Sequence, residues 1–578
     1  MKSLFTLLIV LFAVVNLQAQ NWILSTNPAK NGLNINKNSN IQITFNRQMS
    51  SASLNSSNVK LYGNIQGYFP CTFSYNQSEK KLTITHSKSF LPGENVNVIL
   101  TGNIRDTANA TMGKVYSMMF TAQAIRGTGM FIQKNTSLPV GSGPYYCTSA
   151  DFNNDAKPDI ALTNYSSSSI SVLKNTGGLN FLTQTISGNT NPAGIVSGDI
   201  DCDGDMDIIT TLETLNGVAV YLNNGSGTFT SMPYFLTGVH PTAIAIGFVD
   251  SDEYPDIITA SWDVSSPNIK VYKNNGNGTF TLNNTYNNVG SRPLCIYIGD
   301  IDNDGDNDVG VGIDYSNPRV EFFLNDGLGN LTYSSSTLTL DRPYGIAGND
   351  LNGDGSVDIV VSNKYDNSLS ILLNNGSGNF TNYIYPTLGS YPYGVTLNDF
   401  NKDGKIDIAT ALQSSQNIDV KINTGSSPLF SSYSYPNQFG ISTNLVSSDF
   451  DGDEDVDIAV LDNNSNSLCI YKNTDSISIN INPISSEIPS AFKLNQNYPN
   501  PFNPSTTIRF EIPVTGNSFT TLKVYNSAGI EVSATFTGNL KPGVYEIMWN
   551  ATSLSSGVYY YKLQSGDFSE TKKMILLK

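Results

Sequence analysis

Apolar and polar residues alternate through much of this chain in short runs. Ile41-Gln-Ile-Thr-Phe45, Leu82-Thr-Ile84 and Val96-Asn-Val98 each put apolar side chains on one face of an extended segment, the pattern of a strand with one buried face. Leu91-Pro92-Gly93 marks a turn among them. Further along, hexads with an apolar centre recur, such as DIALTN from Asp159, DIITTL from Asp207 and DIVVSN from Asp358. Segments of that kind predict one strand of each repeat. Each is followed by a run such as SISVLKN or LSILLNN and then by an Asn-Gly type turn: KNTGGLNF ending at Phe181, NNGSGTF at Phe229, NNGNGTF at Phe280, NDGLGNL at Leu331, NNGSGNF at Phe380 and NTGSSPLF at Phe430. Asn and Gly tolerate the positive φ of tight hairpins. No Lys-Ser/Thr and no helical pattern follows these glycines, so they are turns and not phosphate cradles.

The hexads close a larger repeat. An acidic segment begins at Asp151, Asp199, Phe248, Asp300, Asp350, Asp399 and Asp449. Four strands per repeat of ~40–50 residues is the size of a propeller blade, and seven units predict a closed ring with no free edge. The last unit ends at its third strand, SLCIYKN, while an unpaired strand sequence, MFIQKN from Met130, precedes the first. That N-terminal strand is expected to complete blade seven and latch the ring, with the alternating Ile477, Ile479 and Ile481 competing for the slot.

Within each acidic segment, oxygen-bearing side chains at positions one, three, five and nine, with a backbone carbonyl at seven, can surround one hard cation, and carboxylates with amides suit calcium. Blade two shows this in Asp199, Asp201, Asp203 and Asp207, with Asp205 at seven and Gly204 at the turn. The corresponding sets are Asp151, Asn153, Asp155, Lys157 and Asp159; Asp250, Asp252 and Asp256; Asp300, Asp302, Asp304, Asp306 and Asp308; Asp350, Asn352, Asp354, Ser356 and Asp358; Asp399, Asn401, Asp403, Lys405 and Asp407; and Asp449, Asp451, Asp453, Asp455 and Asp457. The carboxylates at positions one, three, five and nine are half of the chain's 48 acidic residues. Three or four in one short loop repel one another unless a cation joins them, so up to seven Ca²⁺ ions are expected, one per blade. Blade three has Phe248 and Glu253 in place of the first ligand and the turn glycine, and Ala156 and Glu454 replace that glycine in blades one and seven. Those three are expected to bind most weakly. EF-hand and dockerin readings fail, because Leu162, Thr210 and Thr410 stand where a bidentate Glu would be and strand sequence follows.

The pattern DxDxDGxxDI followed by NNGxGxF resembles the FG-GAP/VCBS repeat, the calcium-loop blade of integrin α-subunit heads and many bacterial secreted proteins. It spans roughly Met130 to Asn473. The resemblance implies a seven-bladed propeller with calcium loops on one face and ligands met on the other.

Two modules flank the repeats. Residues 20–125, with NPAKNG and ITFNRQMS, resemble the bacterial immunoglobulin-like domain of surface-layer proteins, which implies a spacer. After a repeat region at 126–475 and a linker at 476–490, residues 491–578 contain YPNPFNPSTTIRFEIP, LKVYNSAG, SGVYYYKL and a terminal KKMILLK. This string resembles the C-terminal sorting domain of the type IX secretion system, implying a Gram-negative host, passage across the outer membrane and reading of a tail that carries Lys572, Lys573 and Lys578. The fold class expected is all-β: a seven-bladed propeller flanked by two small β-sandwiches. Met1-Lys2, the apolar run Leu4 to Val15 and Leu17-Gln18-Ala19 have the layout of a signal peptide over residues 1–19. No stretch approaches the ~20 apolar residues of a membrane helix.

Composition narrows the chemistry. A formal charge of −16 disfavours nucleic acid. Two histidines, His86 and His240, leave little for imidazole or multi-histidine zinc chemistry. Five scattered cysteines are expected to be mostly buried thiols. Pro144, Pro192, Pro241, Pro293, Pro343 and Pro392 each open the first strand of a blade. The residues beside them, at the end away from the acidic loops, are expected to ring the axial mouth: Asn191, His240, Arg292, Arg342 and Tyr391 on one side, Tyr145, Tyr344 and Tyr393 on the other. Tyrosine and arginine dominate recognition patches and suit sugars or acidic glycans. With no HExxH, no GxSxG and no Cys/His pairing, the chain reads as a calcium-stabilised, non-catalytic binding or adhesion module for an extracellular glycan or protein. A polysaccharide lyase acting through Tyr or Arg is the alternative enzyme class, and a purely architectural protein the third.

Overall fold

The hexads are buried although half of their residues are polar. In a computed structural model, which describes residues 22–577 apart from 125–126, 189, 264–266, 315–316, 416, 426–428, 437–439, 475–488, 514–518, 528–530, 541, 552–555 and 567, the second strand of every blade is buried along its whole length. Blade five shows the plan: Pro343–Asn349, Asp358–Asn363, Ser368–Asn374 and Phe380–Pro386 pair antiparallel in sequence order. Its outer strand alternates half-buried and exposed residues, as the one with a neighbour on one side only should.

Seven such sheets close on themselves. The innermost strands Pro144–Ala150, Pro192–Gly198, Pro241–Gly247, Pro293–Gly299, Pro343–Asn349, Pro392–Asn398 and Ser442–Ser448 each touch the next, and the last touches the first. Glycine permits this convergence: a Cβ on Gly345 would lie 2.4 Å from the Tyr393 carbonyl oxygen. Blade seven takes its outer strand from the other end of the array. Phe131–Pro139 pairs antiparallel with Ser467–Asn473, Phe131 opposite Asn473, so the N-terminal strand is the latch. Ile477, Ile479 and Ile481 lie outside the described residues, as does the signal segment.

Two sandwiches flank the ring. The first packs the sheet of Ile23–Asn27, Ile41–Phe45, Lys81–His86 and Cys71–Asn76 on one that includes Val59–Gly63, Asn95–Leu100 and Tyr116–Ala122, around Ile43, Phe45, Leu82, Ile84, Val98 and Phe120. The last packs Ser505–Ile512 and Gly543–Asn550 on the sheet of Glu531–Asn539, Phe519–Asn526, Gly557–Ser565 and Phe568–Leu576, around Ile508, Phe510, Tyr561, Leu563 and Met574. All five cysteines are free thiols; Cys147, Cys295 and Cys469 are buried.

Candidate functional site

Each acidic loop joins the first strand of a blade to the second and is shaped by its own carboxylates. In six blades the position-one Asp takes the position-six N–H on Oδ2 at 2.8–3.0 Å. Position six is left-handed, φ 96° at Gly204 and 99° at Gly305, which glycine adopts freely. Ala156 and Glu454 adopt it at φ 61° and 72°, against a cost of ~1–2 kcal/mol for an L side chain. Glu253 in blade three does not adopt it.

Three loops bring carboxylates into a common cup. One oxygen from each of Asp199, Asp201 and Asp203, of Asp300, Asp302 and Asp304, and of Asp449, Asp451 and Asp453 lies within 4.8 Å of the others. These groups could hold a metal ion. The donors fit a hard cation: Asp199 Oδ1, Asp201 Oδ1 and Asp300 Oδ1 are buried without a hydrogen-bond partner, a costly state that an ion relieves. Burial, with Asp203 and Asp201 alongside, pushes the Asp199 carboxyl up to about 7, and burial pushes Asp308 up to about 8. In blades one, five and six an Asn stands at position three (Asn153, Asn352, Asn401) and its Oδ1 accepts the N–H of Asp155, Asp354 or Asp403 at 2.9–3.1 Å. The side chains at position seven differ: Lys157 and Lys405 pair with Asp155 and Asp403 at 2.7 and 2.8 Å, while Ser356 is buried.

Position nine is first of all structural. Asp159, Asp207, Asp256, Asp308, Asp358, Asp407 and Asp457 each accept the N–H of position two on Oδ2. Their Oδ1 accepts the N–H of an Asn that ends the third strand in six blades and lies two residues before its end in blade one. The side chain of that Asn reaches across to the preceding blade. Asn175, Asn223, Asn274, Asn325, Asn374, Asn423 and Asn473 donate to the carbonyls of Phe450, Phe152, Ile200, Val249, Ile301, Leu351 and Phe400, all at 2.7–2.8 Å. Read from sequence this Asn belongs to the hairpin; in the structure it clips every blade to its neighbour. Its recurrence in all seven units, with the residues after it free to change, was the available signal.

The opposite end of the channel differs from the expected open ring of tyrosines. Tyr145 and Tyr344 share a hydroxyl hydrogen bond at 2.6 Å, the Tyr344 and Tyr393 rings lie 3.9 Å apart, and Tyr344 and Tyr393 are buried. Together with Tyr146, Leu294 and Trp262 they form an apolar plug over a central cavity of about 280 Å³. Tyr145, Tyr344 and Tyr393 therefore close the mouth instead of offering themselves to a ligand, because seven converging strands leave less room there than seven separate edges would.

The other set does face outward. Asn191, His240, Arg292, Arg342 and Tyr391 all have left-handed backbones, φ 47–61°, and their carbonyls accept the N–H of Glu213, Trp262, Asp314, Lys364 and Gln413 at the end of the second strand. Blade one has Gly143 at this place. Arg292 and Arg342 lie 3.9 and 3.8 Å from the same oxygen of Asp314, Oδ2. Arg292 covers the Trp262 ring, Arg342 the Tyr365 ring at 5.1 Å, and Lys364 the Tyr393 ring at 4.6 Å. A cleft of about 570 Å³ is lined by Arg292, Asp314, Arg342 and Tyr365 together with Asp341, Leu340 and Pro318. Tyr391 stacks edge-on with Tyr365; His240 stands apart beside Glu213, 3.5 Å away.

Comparison with protein families accounts for the loops. An FG-GAP-like repeat model matches residues 151–210, 249–311 and 350–410. These are FG-GAP-like repeats. A bacterial Ig-like domain matches residues 20–122 and a secretion system C-terminal sorting domain residues 496–577; the latter marks the chain as secreted or displayed on the outer surface. No curated protein matches. Among solved structures, a functionally unknown protein from Desulfotomaculum acetoxidans is 13% identical, with 66% of this chain and 97% of that chain covered and a TM-score of 0.41. A protein from Lactobacillus plantarum is 15% identical, covering 57% and 95%, with a TM-score of 0.33. No helix among the described residues is long and apolar enough to cross a membrane.

The Ig-like domain is not held clear of the FG-GAP-like ring as a spacer would be. It touches every blade on the loop face. Ile65 O accepts from Asp151 N and Tyr62 Oη from Asp199 N, at 2.8 and 3.2 Å. Gly102 N donates to Ser251 O, Ser117 N to Gly305 O and Asn31 Nδ2 to Gly355 O, at 3.2, 2.7 and 2.9 Å. Asn398 Nδ2 donates to Gly93 O at 3.3 Å, and Lys37 pairs with Glu454 at 2.7 Å. Lys30 bonds Asp300 through Oδ2, which leaves Oδ1 of that carboxylate facing the cup. Phe248, the residue that breaks the blade-three motif, packs against Tyr62 of this domain, ring centroids 5.4 Å apart.

Proposed function

We propose that this chain is a non-catalytic surface binding protein whose FG-GAP-like ring is stiffened by calcium and whose free face binds an acidic glycan. The cluster of Arg292, Arg342 and Lys364 over Trp262, Tyr365 and Tyr393 carries the reading. Arg292 and Arg342 line that cleft together with Asp314 and Asp341, Lys364 lies over the adjacent Tyr393 ring, and aromatic faces beside guanidinium groups suit a carboxylated or sulfated sugar ring. Two observations support the choice of face. The loop face is already covered by the chain's own first domain. The mouth, in turn, holds Arg292 and Arg342 in strained left-handed backbones where glycine would be unstrained, the kind of cost that collects at functional positions. Calcium would act by drawing carboxylates of one loop together; Asp199, Asp201, Asp203 and Asp207 in blade two and Asp300, Asp302, Asp304 and Asp308 in blade four would hold it most fully.

A glycan array with and without chelator tests this. Uronic-acid or sulfated polymers are expected to bind, and Arg292→Ala with Arg342→Ala to weaken binding at least tenfold, as loss of charge-assisted hydrogen bonds of ~1.5–3 kcal/mol requires. Equal binding by parent and double variant would remove the cleft from the account. Release of unsaturated sugar from the same polymers would favour the lyase.

A further inference from the structure

Two positions change together across the seven blades. Where loop position six is glycine (Gly204, Gly305, Gly355, Gly404), the residue before the clip asparagine is Leu222, Leu324, Leu373 or Ile422. Where it is Ala156, Glu253 or Glu454, that residue is Lys174, Lys273 or Lys472. Two of these lysines turn into their own loops. Lys472 Nζ bonds Asp451 Oδ2 and, at 2.6 Å, Asp453 Oδ2; Lys273 Nζ lies 3.1 Å from Asp250 Oδ2. Lys174 goes elsewhere, to the Ser226 carbonyl at 3.0 Å. Lys472 thus spans positions three and five, two of the donors a calcium ion would need, from within its own blade; in blade four the lysines come from the first domain, Lys30 on Asp300 Oδ2 and Asn303 Oδ1 and Lys114 at 3.7 Å from Asp304 and 3.3 Å from Asp306.

An ammonium supplies the charge that three crowded carboxylates lack, and like charges exclude each other at contact distance. We propose that Lys472 and Lys273 are built-in counter-ions that take the place of the divalent ion in blades seven and three. The proposal rests on reading the remaining loops as calcium sites. It has a structural logic: blade seven is the one closed by a strand from the far end of the array, so a loop that needs no ion keeps ring closure independent of calcium supply.

Count the ions on the full chain. After equilibration with excess calcium and desalting, metal analysis per chain should give one more ion for Lys472→Met, and for Lys472→Leu, the residue blades two, four and five have, than for the parent. Equal counts in folded parent and variant overturn the proposal while leaving the calcium reading standing. No ion on either overturns both. Should the variants fail to fold, the parent decides alone: anomalous scattering from calcium-loaded crystals is expected in the blade-two cup and not among Asp449, Asp451 and Asp453, and a peak there refutes the substitution by lysine.

Discussion

Replacing Asn374 by alanine isolates the blade-to-blade clip. Asn374 is 3% exposed. Its Nδ2 donates to Ile301 O of blade four at 2.7 Å and to Val357 O of its own blade at 3.0 Å, and its Oδ1 accepts from Gly376 N at 3.1 Å. Each bond is worth ~0.5–1.5 kcal/mol net, and a buried carbonyl left unpaired costs ~1–3 kcal/mol. With two such carbonyls abandoned, Asn374→Ala should destabilise by ~3–5 kcal/mol, which at ~2–4 °C per kcal/mol for a domain of this size lowers Tm by roughly 10 °C. Neighbouring Asn375 is exposed, and its Oδ1 accepts only local bonds within the hairpin, from Ser377 N and Oγ at 3.1 and 2.9 Å and from Asn379 N at 3.4 Å, so Asn375→Ala should cost under ~1 kcal/mol. Differential scanning calorimetry at saturating calcium compares the two. Tm values for Asn374→Ala and Asn375→Ala within 2 °C of each other would show that the sevenfold contact is not what binds the blades.

Deleting Met130 to Asn135 removes the strand opposite Ser467–Asn473 and with it Phe131, which packs against Phe400 and Tyr435 at 5.4 and 5.7 Å; loss of a buried Phe alone costs ~3–5 kcal/mol, and an unchanged melting curve would contradict the latch. Chelation should lower Tm: with a Kd near ~10⁻⁴ M, removing ~1 mM calcium forfeits about 1.4 kcal/mol per site, measurable by thermal unfolding with and without EDTA. Burial and the adjacent Arg342 push the Lys364 ammonium down to about 8. Its charge is therefore present below that pH and lost above it, so affinity for an anionic polymer should fall between pH 7 and 9 in the parent and stay flat in Lys364→Met, read by calorimetric titration.

Local chemistry made much of this protein legible from its residues. The repeat period, the hairpins and the acidic loops depend on turn-forming residues and alternation within a few positions, so Asp199 to Asp207 could be placed on a loop, and DIITTL on a strand, without knowing any neighbour. Alternation also says that a face is covered, but not by what. Ring closure decided the rest: it turned Tyr344 and Tyr393 inward into a plug and brought Asn374 within reach of Ile301. The latch strand after Met130, readable from the unpaired strand it completes, gained from it only its register, Phe131 opposite Asn473. The Ig-like domain's seat on the loop face likewise joins Lys30 to Asp300 and Tyr62 to Asp199, partners far apart in the chain whose meeting depends on how whole domains pack and not on any pattern of nearby residues.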